Sequence, residues 1–545
     1  MEKSPEDLFG PTAVERVDQI LSGPPPRHHE RILELTEQEI QSGFSAPLVD
    51  RHQIDRQFGV GNWSCIPRFL VQQHAGKDRL IDNGARGGHS DASSFEETIY
   101  TESVDFIPTA VRGLWSAAKP SGAPLPEEEH LLPTFGLDDL PDAFRACPLS
   151  RESQRAAVVV VYDHRKSQWA VSVMKGAPYG VGSVVLTFNR LPALAIAATR
   201  RIFGVAATAY FDDIATVDLQ WGQGTAQAAT RTVLKGVGAP PKATKSLGMA
   251  CVRPFLGTTV NLSHSLETST AVITANATMR ASVADELETA AQQGQLEPHR
   301  ASKLMGKTGW LATNSSGRLG RLGTAVLKSV QYRQNADLSE CDCFALRAHA
   351  SIVRTVPPRV VDLIPSDRPR ATIYTDASWE PESEVPPRLG WVIFIRGERP
   401  LAGTMVIPPE LVTTWKPRTQ QIYPAEALAV PTVLLHYQDQ LRGKELIWFI
   451  DNEAACASMI KGSSREQEVD ALATLAHLLS FRLEAPVWYE WIDSASNPAD
   501  GLSRDGLKDE WTLKQGWSLA EIPYPHDLLF ASPTEVLERF HLDVG

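Results

Sequence analysis

Cysteine is sparse in this 545-residue sequence, and its six residues are scattered. The one close pair, Cys341 and Cys343, has no second pair downstream, so neither a zinc ribbon nor a disulfide framework is expected. Buried, reduced thiols are the better expectation. No apolar run reaches membrane-spanning length, and the N-terminus has no basic stretch followed by an apolar one. These absences predict an intracellular protein, cytoplasmic or nuclear, without a membrane partner.

Positive charge is in the minority, because 53 Lys and Arg stand against 65 Asp and Glu and the formal net charge is −12. An acidic average argues against a nucleic-acid partner. Residues 300–333 depart from this average, since they contain no Asp or Glu. Their basic side chains are Arg300, Lys303, Lys307, Arg318, Arg321, Lys328 and Arg333. A local basic face can bind a phosphate backbone, although a solvated helix face is an equally good interpretation.

The residue pattern predicts an α/β multidomain protein, and the length predicts two to four domains. Apolar runs at 156–163 and 169–176 predict two buried strands. The predicted parts are a polar, loosely packed lead-in (1–48), an α/β domain (49–260), a mostly helical segment (261–350), a Pro-rich linker (351–370), a second α/β domain (371–506) and a tail (507–545).

Two adjacent aspartates, Asp212 and Asp213, stand between small apolar arms in residues 207–217. This pattern predicts a β-hairpin with both acids at its tip. Neighbouring carboxylates repel each other and are tolerated where a divalent cation neutralises them. Taken alone, however, an ordinary acidic turn is the better interpretation of the pair.

Two upstream motifs change that interpretation. Residues 135–149 are FGLDDLPDAFRACPL, and residues 175–180 are KGAPYG, followed by FNR at 188–190. Together with YFDD at 210–213, their order and spacing resemble the palm motifs of reverse transcriptases. The resemblance implies a right-hand polymerase fold, with fingers and palm over 49–260 and a thumb over 261–350.

The resemblance also implies a two-metal polymerase site. Asp139 and Asp212 would be the principal ligands of two Mg²⁺ ions, with Mn²⁺ as an alternative ion, and Asp213 would assist. Asp138 competes with Asp139 for this role. We prefer Asp139 because Phe144 then follows five residues later, where the family has an aromatic gate against the ribose 2′-hydroxyl. Core packing is the alternative role for Phe144.

Further residues receive roles from the same resemblance. The Y-F-D-D motif contributes Tyr210 and Phe211, and Tyr179 stands where many retroviral enzymes have Gln. The FLG motif resembles the primer grip, and the basic stretch falls where a thumb would hold the duplex. The implied dNTP contacts are Lys77, Arg79, Phe144, Pro178, Tyr179, Gly180, Tyr210, Phe211 and Lys245, and the implied primer-grip residues are Phe255, Leu256 and Gly257.

A second set of acids lies within residues 371–506. Asp376 and Asp451 end predicted strands, Glu426 lies in the first turns of a predicted helix, and Asp500 begins a final helix. Such positions converge on one edge of an α/β sheet, and four carboxylates gathered there need cations, as in a two-metal hydrolytic site. A scatter of surface acids is the alternative. Their order, with TDAS and NPADGLSR, resembles the ribonuclease H of retroelements.

Two departures from the ribonuclease H pattern are visible. Many of these enzymes have a histidine shortly before the last aspartate, but residues 492–499 contain none. Altered turnover, rather than inactivity, is expected from this difference. In addition, Pro431 lies inside the predicted Glu426 helix and should kink it.

Polymerase motifs followed by a ribonuclease H pattern resemble the Pol region of an LTR-type or tyrosine-recombinase-type retrotransposon. The resemblance implies an RNA-directed DNA polymerase with ribonuclease H activity. Its partners would be an RNA template, a DNA primer, an RNA–DNA hybrid and dNTPs. One alternative is an inactive relic that at most binds nucleic acid. Another is an RNA-templated RNA polymerase, which Phe144 and the attached ribonuclease H pattern disfavour.

Overall fold

The chain divides into two compact units, according to a computed structural model that describes residues 5–72, 78–94, 96–118, 128–321, 324–380 and 385–525. Unit 1 comprises Met1–Leu256 and Asn261–Ser269, and unit 2 comprises Gly257–Val260 and Thr270–Gly545. Each of the two predicted acid sets lies within a single unit.

Unit 1 is built from α-helices and short strands. Its strands are β1 (Cys65–Gln72), β2 (Asp78–Asp82), β3 (Pro133–Asp139), β4 (Val158–Asp163), β5 (Gln168–Val173), β6 (Ala206–Tyr210), β7 (Asp213–Leu219), β8 (Leu247–Ala250) and β9 (Val252–Phe255). Its helices are α1 (Pro11–Leu21), α2 (His29–Gln41), α3 (Arg51–Phe58), α4 (Phe106–Ala118), α5 (Gly182–Phe203), α6 (Thr225–Gly236) and α7 (Ser265–Thr268).

Two four-stranded sheets organise unit 1. One has the order β2-β1-β4-β5, and the other has the order β6-β7-β3-β8. Val158 to Val161 in β4 are all buried, as expected for an apolar run in an interior strand. The predicted strand pair at 156–163 and 169–176 is therefore confirmed as β4 and β5, which pair antiparallel.

The N-terminal region is more ordered than the sequence predicts. Helix α1 buries Val17 and Ile20 in a cluster with β4 and β5 residues, and α2 buries Ile32 and Leu33 against Val161. The apolar positions of both helices are few and widely spaced among charged residues. Only their burial against the sheet distinguishes these helices from a polar lead-in.

Helix α5 corrects one expectation about membranes. Within the described residues it is the one helix that is long and apolar enough to cross a membrane by length and composition alone. Its Phe188, Ala195 and Ile196 instead form a cluster with Ala207 of β6 and Ile214 of β7. Part of the apolar surface of α5 is thus packed on the sheet that carries the first acid set, whereas Leu194, Ile202 and Phe203 are exposed.

Unit 2 begins with a mainly helical region. Its elements are β10 (Thr258–Asn261), β11 (Thr270–Ala275), α8 (Ala277–Gln293), α9 (Pro298–Leu311), α10 (Thr324–Val330), α11 (Glu340–Thr355) and β12 (Arg359–Asp362). The predicted linker, 351–370, is therefore not irregular throughout, because α11 ends in it and β12 pairs antiparallel with β11. Leu287, Leu304, Leu346 and their neighbours bury a common core between the helices.

The rest of unit 2 surrounds a six-stranded sheet of order β17-β16-β13-β14-β15-β18. Its strands are β13 (Arg370–Ser378), β14 (Arg388–Ile395), β15 (Leu401–Val406), β16 (Glu445–Ile450), β17 (Val487–Trp491) and β18 (Ser518–Glu521). Its helices are α12 (Pro409–Val412), α13 (Ile422–His436), α14 (Gln438–Leu441), α15 (Glu453–Lys461), α16 (Gln467–Arg482), α17 (Asp500–Arg504) and α18 (Glu510–Lys514).

The sheet mixes strand directions in a way that positions the second acid set. β13 pairs antiparallel with β14 and parallel with β16, and β16 pairs parallel with β17. β18, which falls in the predicted tail, pairs parallel with β15 and so extends the domain beyond residue 506. Pro431 lies within α13, which continues to His436.

Candidate active sites

The first acid set lies where two neighbouring strands of unit 1 meet. Asp139 ends β3 and Asp213 begins β7, and the two residues are direct partners in the antiparallel pairing. Asp212 lies in the tight turn between β6 and β7, and its carbonyl accepts a hydrogen bond of 3.0 Å from the Leu140 N–H. The sheet therefore brings the three carboxylates together at one edge.

The hairpin turn that carries Asp212 is strained. Phe211 has a φ of 53°, a left-handed conformation that is uncommon for a bulky residue. Such a conformation costs on the order of 1–3 kcal/mol and persists only where neighbouring structure enforces it. The ring of Tyr210, which ends β6, and the ring of Phe211 in the turn lie 5.1 Å apart in an edge-to-face arrangement.

The three carboxylates repel one another electrostatically. Burial, followed by the charges of Asp212 and Asp139, raises the pKa of Asp213 to about 6. Burial also raises the pKa of Asp212, and Asp139 adds to this effect, whereas Lys245 and Arg79 oppose it. The site thus holds its negative charge at a cost that a cation would remove.

Asp138 and Asp139 lie on opposite faces of the sheet and have different surroundings. Asp138 is 2% exposed and accepts hydrogen bonds from Arg231 Nε at 2.8 Å and Gln227 Nε2 at 3.1 Å. Asp139, the next residue along the strand, points to the opposite side of the sheet, as alternation requires. It is therefore Asp139, and not Asp138, that lies with Asp212 and Asp213.

Two basic side chains lie close to the first acid set. Lys245 Nζ contacts both carboxylate oxygens of Asp139, at 3.0 and 2.9 Å. Arg79 is exposed on β2, and its charge lowers the pKa of Asp212 against the larger effect of burial. Lys77, the other predicted triphosphate contact, lies outside the described residues.

Aromatic rings flank the predicted sugar gate. The Phe144 ring lies 5.3 Å from the Tyr179 ring and 5.1 Å from the Phe188 ring. Pro178 is buried beside them, and burial raises the pKa of Tyr179 to about 12. Gly180 has a φ of 87°, and a Cβ there would lie 2.3 Å from the Asp82 carbonyl oxygen. The G-x-P-Y-G motif is therefore closely packed against the end of β2.

The predicted primer-grip residues form the turn after β9. Phe255 is buried, Leu256 has a φ of 48°, and Gly257 has a φ of 77°. The division between the two units falls between Leu256 and Gly257. Within unit 2, a Cβ on Gly257 would lie 3.0 Å from the Trp310 ring. The contact of Phe255, Leu256 and Gly257 with a primer stays a prediction.

Several side chains of the basic stretch, residues 300–333, contact other groups of the protein, so only part of the stretch is available to contact a nucleic acid. Lys307 forms an ion pair with Glu286 at 3.1 Å, Arg333 pairs with Asp342 at 2.9 Å, and Arg318 donates to the Ile460 carbonyl at 2.6 Å. The side chain of Arg321 lies outside the described residues. The exposed positions are Arg300, Lys303, Arg318 and Lys328. A continuous basic face over all seven residues is not what the structure presents.

The second acid set gathers at one edge of the six-stranded sheet. Thr375 pairs with Ile450 across the parallel strands β13 and β16, so that the next residues, Asp376 and Asp451, emerge side by side. Glu426 in the first turns of α13 lies beneath them. Ligand atoms of Asp376, Glu426 and Asp451 all lie within 4.8 Å of one another, close enough to hold a metal ion. Among the residues that the structure describes, no other group of three such side chains meets this distance, and the first acid set does not.

Burial disfavours the charged form of the carboxyl groups in this triad. Burial, followed by the charge of Asp451, raises the pKa of Asp376 to about 8. Burial and then Asp376 raise the pKa of Glu426 well above its usual range. Glu426 Oε1 accepts from the Ala377 N–H at 3.1 Å, whereas Oε2 is buried without a hydrogen-bond partner. A cation between these oxygens would satisfy both the charge and the orphaned oxygen, so the donor set fits a hard divalent ion.

Two serines that sequence reasoning missed orient the triad. Ser503 Oγ donates to Asp376 Oδ2, and Ser494 Oγ donates to Asp451 Oδ2 at 2.8 Å. Ser503 stands three residues after Asp500 on α17, a spacing that places both on one helix face. That spacing within NPADGLSR was the available signal. Gly390 allows α17 to approach β14 closely, because a Cβ at this position would lie 2.6 Å from the Ser503 backbone nitrogen.

Asp500 lies at the margin of the second site. Its charge contributes to the raised pKa of Asp376, after burial and the effect of Asp451. Its own carboxylate is engaged by Arg504, with Nε at 3.0 Å and a terminal nitrogen at 2.9 Å. The structure thus brings three of the four predicted acids within metal-binding distance and leaves Asp500 paired beside them.

Comparison with known proteins gives structural similarity only. No family model matches the chain, and no curated protein matches it. One similar solved structure is a foamy viral protease-reverse transcriptase dRH in complex with double-stranded DNA, at 12% identity and a TM-score of 0.44, covering 86% of this chain and 74% of that one. Another is the foamy viral protease-reverse transcriptase with double-stranded DNA, at 12% identity and a TM-score of 0.43, covering 87% of this chain and 86% of that one. Residue geometry, and not this similarity, is therefore the basis for assigning a function to the chain.

Proposed function

We propose that the chain is an RNA-directed DNA polymerase with ribonuclease H activity, derived from a retroelement. The observation that carries the proposal is the pair of carboxylate clusters, one in each compact unit, each formed at the ends of adjacent strands. Two separate acid sites in this order suit synthesis of DNA on RNA followed by removal of the RNA.

In the proposed polymerase site, Asp139, Asp212 and Asp213 are the residues that would hold two Mg²⁺ ions. Lys245 and Arg79 supply positive charge near these acids and would contact the triphosphate of a dNTP. Phe144 and Tyr179 form an aromatic wall for the sugar. Bound Mg²⁺ would lower the pKa of the attacking hydroxyl and neutralise the leaving group.

In the proposed nuclease site, Asp376, Glu426 and Asp451 would hold the ions, and Asp500, which is paired with Arg504, would complete the set. Ser503 and Ser494 keep two of the carboxylates in orientation. The site would cleave the RNA strand of an RNA–DNA hybrid. Exposed Arg300, Lys303 and Lys328 are the candidates for contact with the duplex backbone.

A paired assay on the full chain tests the proposal. Extension of a DNA primer on an RNA template with dNTPs and Mg²⁺ should yield full-length product, and a labelled RNA in a hybrid should be cleaved. Chelation of the metal should abolish both activities. Extension with rNTPs alone would favour an RNA polymerase instead. Absence of extension and cleavage in a folded protein would favour an inactive relic.

A further inference from the structure

Three buried charged side chains and one partly buried one lie near the predicted sugar gate in unit 1. They lie on segments that are far apart in the sequence. Glu39 is on α2, Arg68 is on β1, Asp82 is at the end of β2, and Arg145 directly follows Phe144 in the chain. We call them the buried ion ring. Arg68 pairs with Asp82 at 3.0 Å and with Glu39 at 2.7 Å, and Arg145 pairs with Glu39 at 2.7 Å and with Asp82 at 2.8 Å.

The ring is almost fully removed from solvent. The side chains of Arg68 and Asp82 are 0% exposed, that of Arg145 is 3% exposed, and that of Glu39 is 16% exposed. Buried ion pairs are seldom more stabilising than apolar residues of the same volume, because each charge loses its hydration. Stability alone is therefore a poor reason for this arrangement, whereas fixing the relative positions of several segments is a good one.

The ring contacts Tyr179, which packs against the gate residue Phe144. Arg145 donates to the Ala177 carbonyl at 2.9 Å, and its guanidinium lies over the Tyr179 ring, 4.5 Å from the centroid. Asp82 Oδ2 accepts the Tyr179 N–H at 2.6 Å. Tyr179 in turn packs against Phe144. One charged network thus holds Tyr179 through its ring and its backbone, and Tyr179 holds Phe144 by ring packing.

We infer that the buried ion ring, through Arg145, sets the sugar selectivity of the proposed polymerase site. This inference rests on the proposed function. Arg145 is a positioning residue: its planar guanidinium spans Glu39, Asp82, the Ala177 carbonyl and the Tyr179 ring at once. A lysine keeps the charge but offers neither the fork nor the flat face. Loss of these contacts would let Tyr179 and Phe144 shift, and discrimination by overlap with a 2′-hydroxyl depends on their position.

The experiment compares single-nucleotide incorporation of a dNTP and the matching rNTP by the full chain. Arg145→Lys should lower the ratio of the two kcat/KM values by about tenfold, a difference of about 1.4 kcal/mol in selectivity. Arg165→Lys is the matched control. Arg165 pairs with Glu37, which lies on α2 as Glu39 does, but the Arg165 side chain is 53% exposed. It is not among the residues that contact Phe144 or Tyr179. Its ratio should equal that of the unmodified protein.

Each outcome is decisive. Equal losses on both nucleotides, with an unchanged ratio, would assign the ring a structural role only and overturn the inference. If Arg145→Lys does not fold, as judged by thermal unfolding, Glu39→Gln removes one charge with little change of shape and should lower the same ratio. If the unmodified chain incorporates neither nucleotide but is folded, the proposed polymerase function fails, and the inference fails with it. Incorporation of dNTP with an unaltered ratio in both variants rejects the inference alone.

Discussion

At the scale of single residues, Phe144 is held between the rings of Tyr179 and Phe188. A ring packed on both sides cannot yield to a 2′-hydroxyl without strain. Phe144→Ala should therefore raise rNTP incorporation relative to dNTP incorporation by tenfold or more, equivalent to about 1.4 kcal/mol of discrimination. Single-nucleotide kinetics measure the ratio. A lower rate on both nucleotides at a constant ratio would leave Phe144 as a packing residue.

Asp138 and Asp139 are adjacent in sequence but differ in surroundings, and their substitutions should differ in kind. Asp138→Asn removes the charge that Arg231 and Gln227 contact, so we expect a loss of stability on the order of 1–3 kcal/mol, at the lower end because Arg231 is partly exposed. Asp139→Asn should abolish DNA synthesis at unchanged stability. Denaturant unfolding and primer extension on both variants test this pair, and the reverse pattern would reassign the ligand to Asp138.

The second acid triad should make stability depend on pH and on metal together. The pKa of Asp376 is raised to about 8, first by burial and then by Asp451, so the folded state binds its proton more tightly than the unfolded state. Metal-free protein should therefore lose stability as pH rises from near 4, the unfolded pKa, to about 8. Added Mg²⁺ should restore stability most at the upper end, because it replaces the proton.

Thermal unfolding in chelator and in Mg²⁺, at about pH 5.5 and about pH 8, measures this coupling. Asp376→Asn is the control, because it removes the titrating carboxyl and should weaken both the pH dependence and the Mg²⁺ effect. A Mg²⁺ stabilisation that is equal at both pH values, or that survives Asp376→Asn, would place the ion elsewhere.

At the scale of elements, the close crossing of β2 and the G-x-P-Y-G motif depends on Gly180. Gly180 and Gly238 have similar φ values, 87° and 82°, but a Cβ on Gly180 would lie 2.3 Å from the Asp82 carbonyl, and a Cβ on Gly238 would meet nothing within 4 Å. Gly238→Ala should lower the free energy of unfolding by about 1 kcal/mol, because of the backbone conformation alone. Gly180→Ala should lower it by about 1–3 kcal/mol more, because of the overlap with the Asp82 carbonyl. Equal losses of unfolding free energy, measured with denaturant, would mean that β2 and the G-x-P-Y-G motif are not closely packed at Gly180.

The same scale shows what local pattern could predict. Strands β4 and β5 lie within a few residues of the predicted runs 156–163 and 169–176, and β13 and β16 carry or precede the two predicted acids, because apolar runs with polar ends specify strands locally. The sequence does not predict helices α1 and α2, because their apolar positions are sparse and are explained only by packing against the sheet. It does not predict the β15–β18 pairing either, since β18 is short and half-buried.

At the scale of the whole molecule, the two acid sites lie in different compact units, and their chemistry should separate. Asp212→Asn should abolish primer extension and leave hybrid cleavage within about twofold of the unmodified protein, because no residue of the nuclease triad belongs to unit 1. Asp451→Asn should do the reverse. Both activities are measured on one preparation of each variant. If either substitution removed both activities from a folded chain, the two-site interpretation would be wrong.

The sequence by itself determined the candidate acids, the hairpin between β6 and β7, and the two strands near whose ends Asp376 and Asp451 lie, because each depends on spacing along a short stretch of chain. The tertiary structure decided what depends on distant partners. It placed Asp138 against Arg231, turned Lys307 and Arg333 toward acidic neighbours, and brought Ser503 to Asp376. It also closed the buried ion ring behind Phe144. Side-chain direction and pairing across a hundred residues follow from how the sheets and helices pack, and no local pattern carries that information.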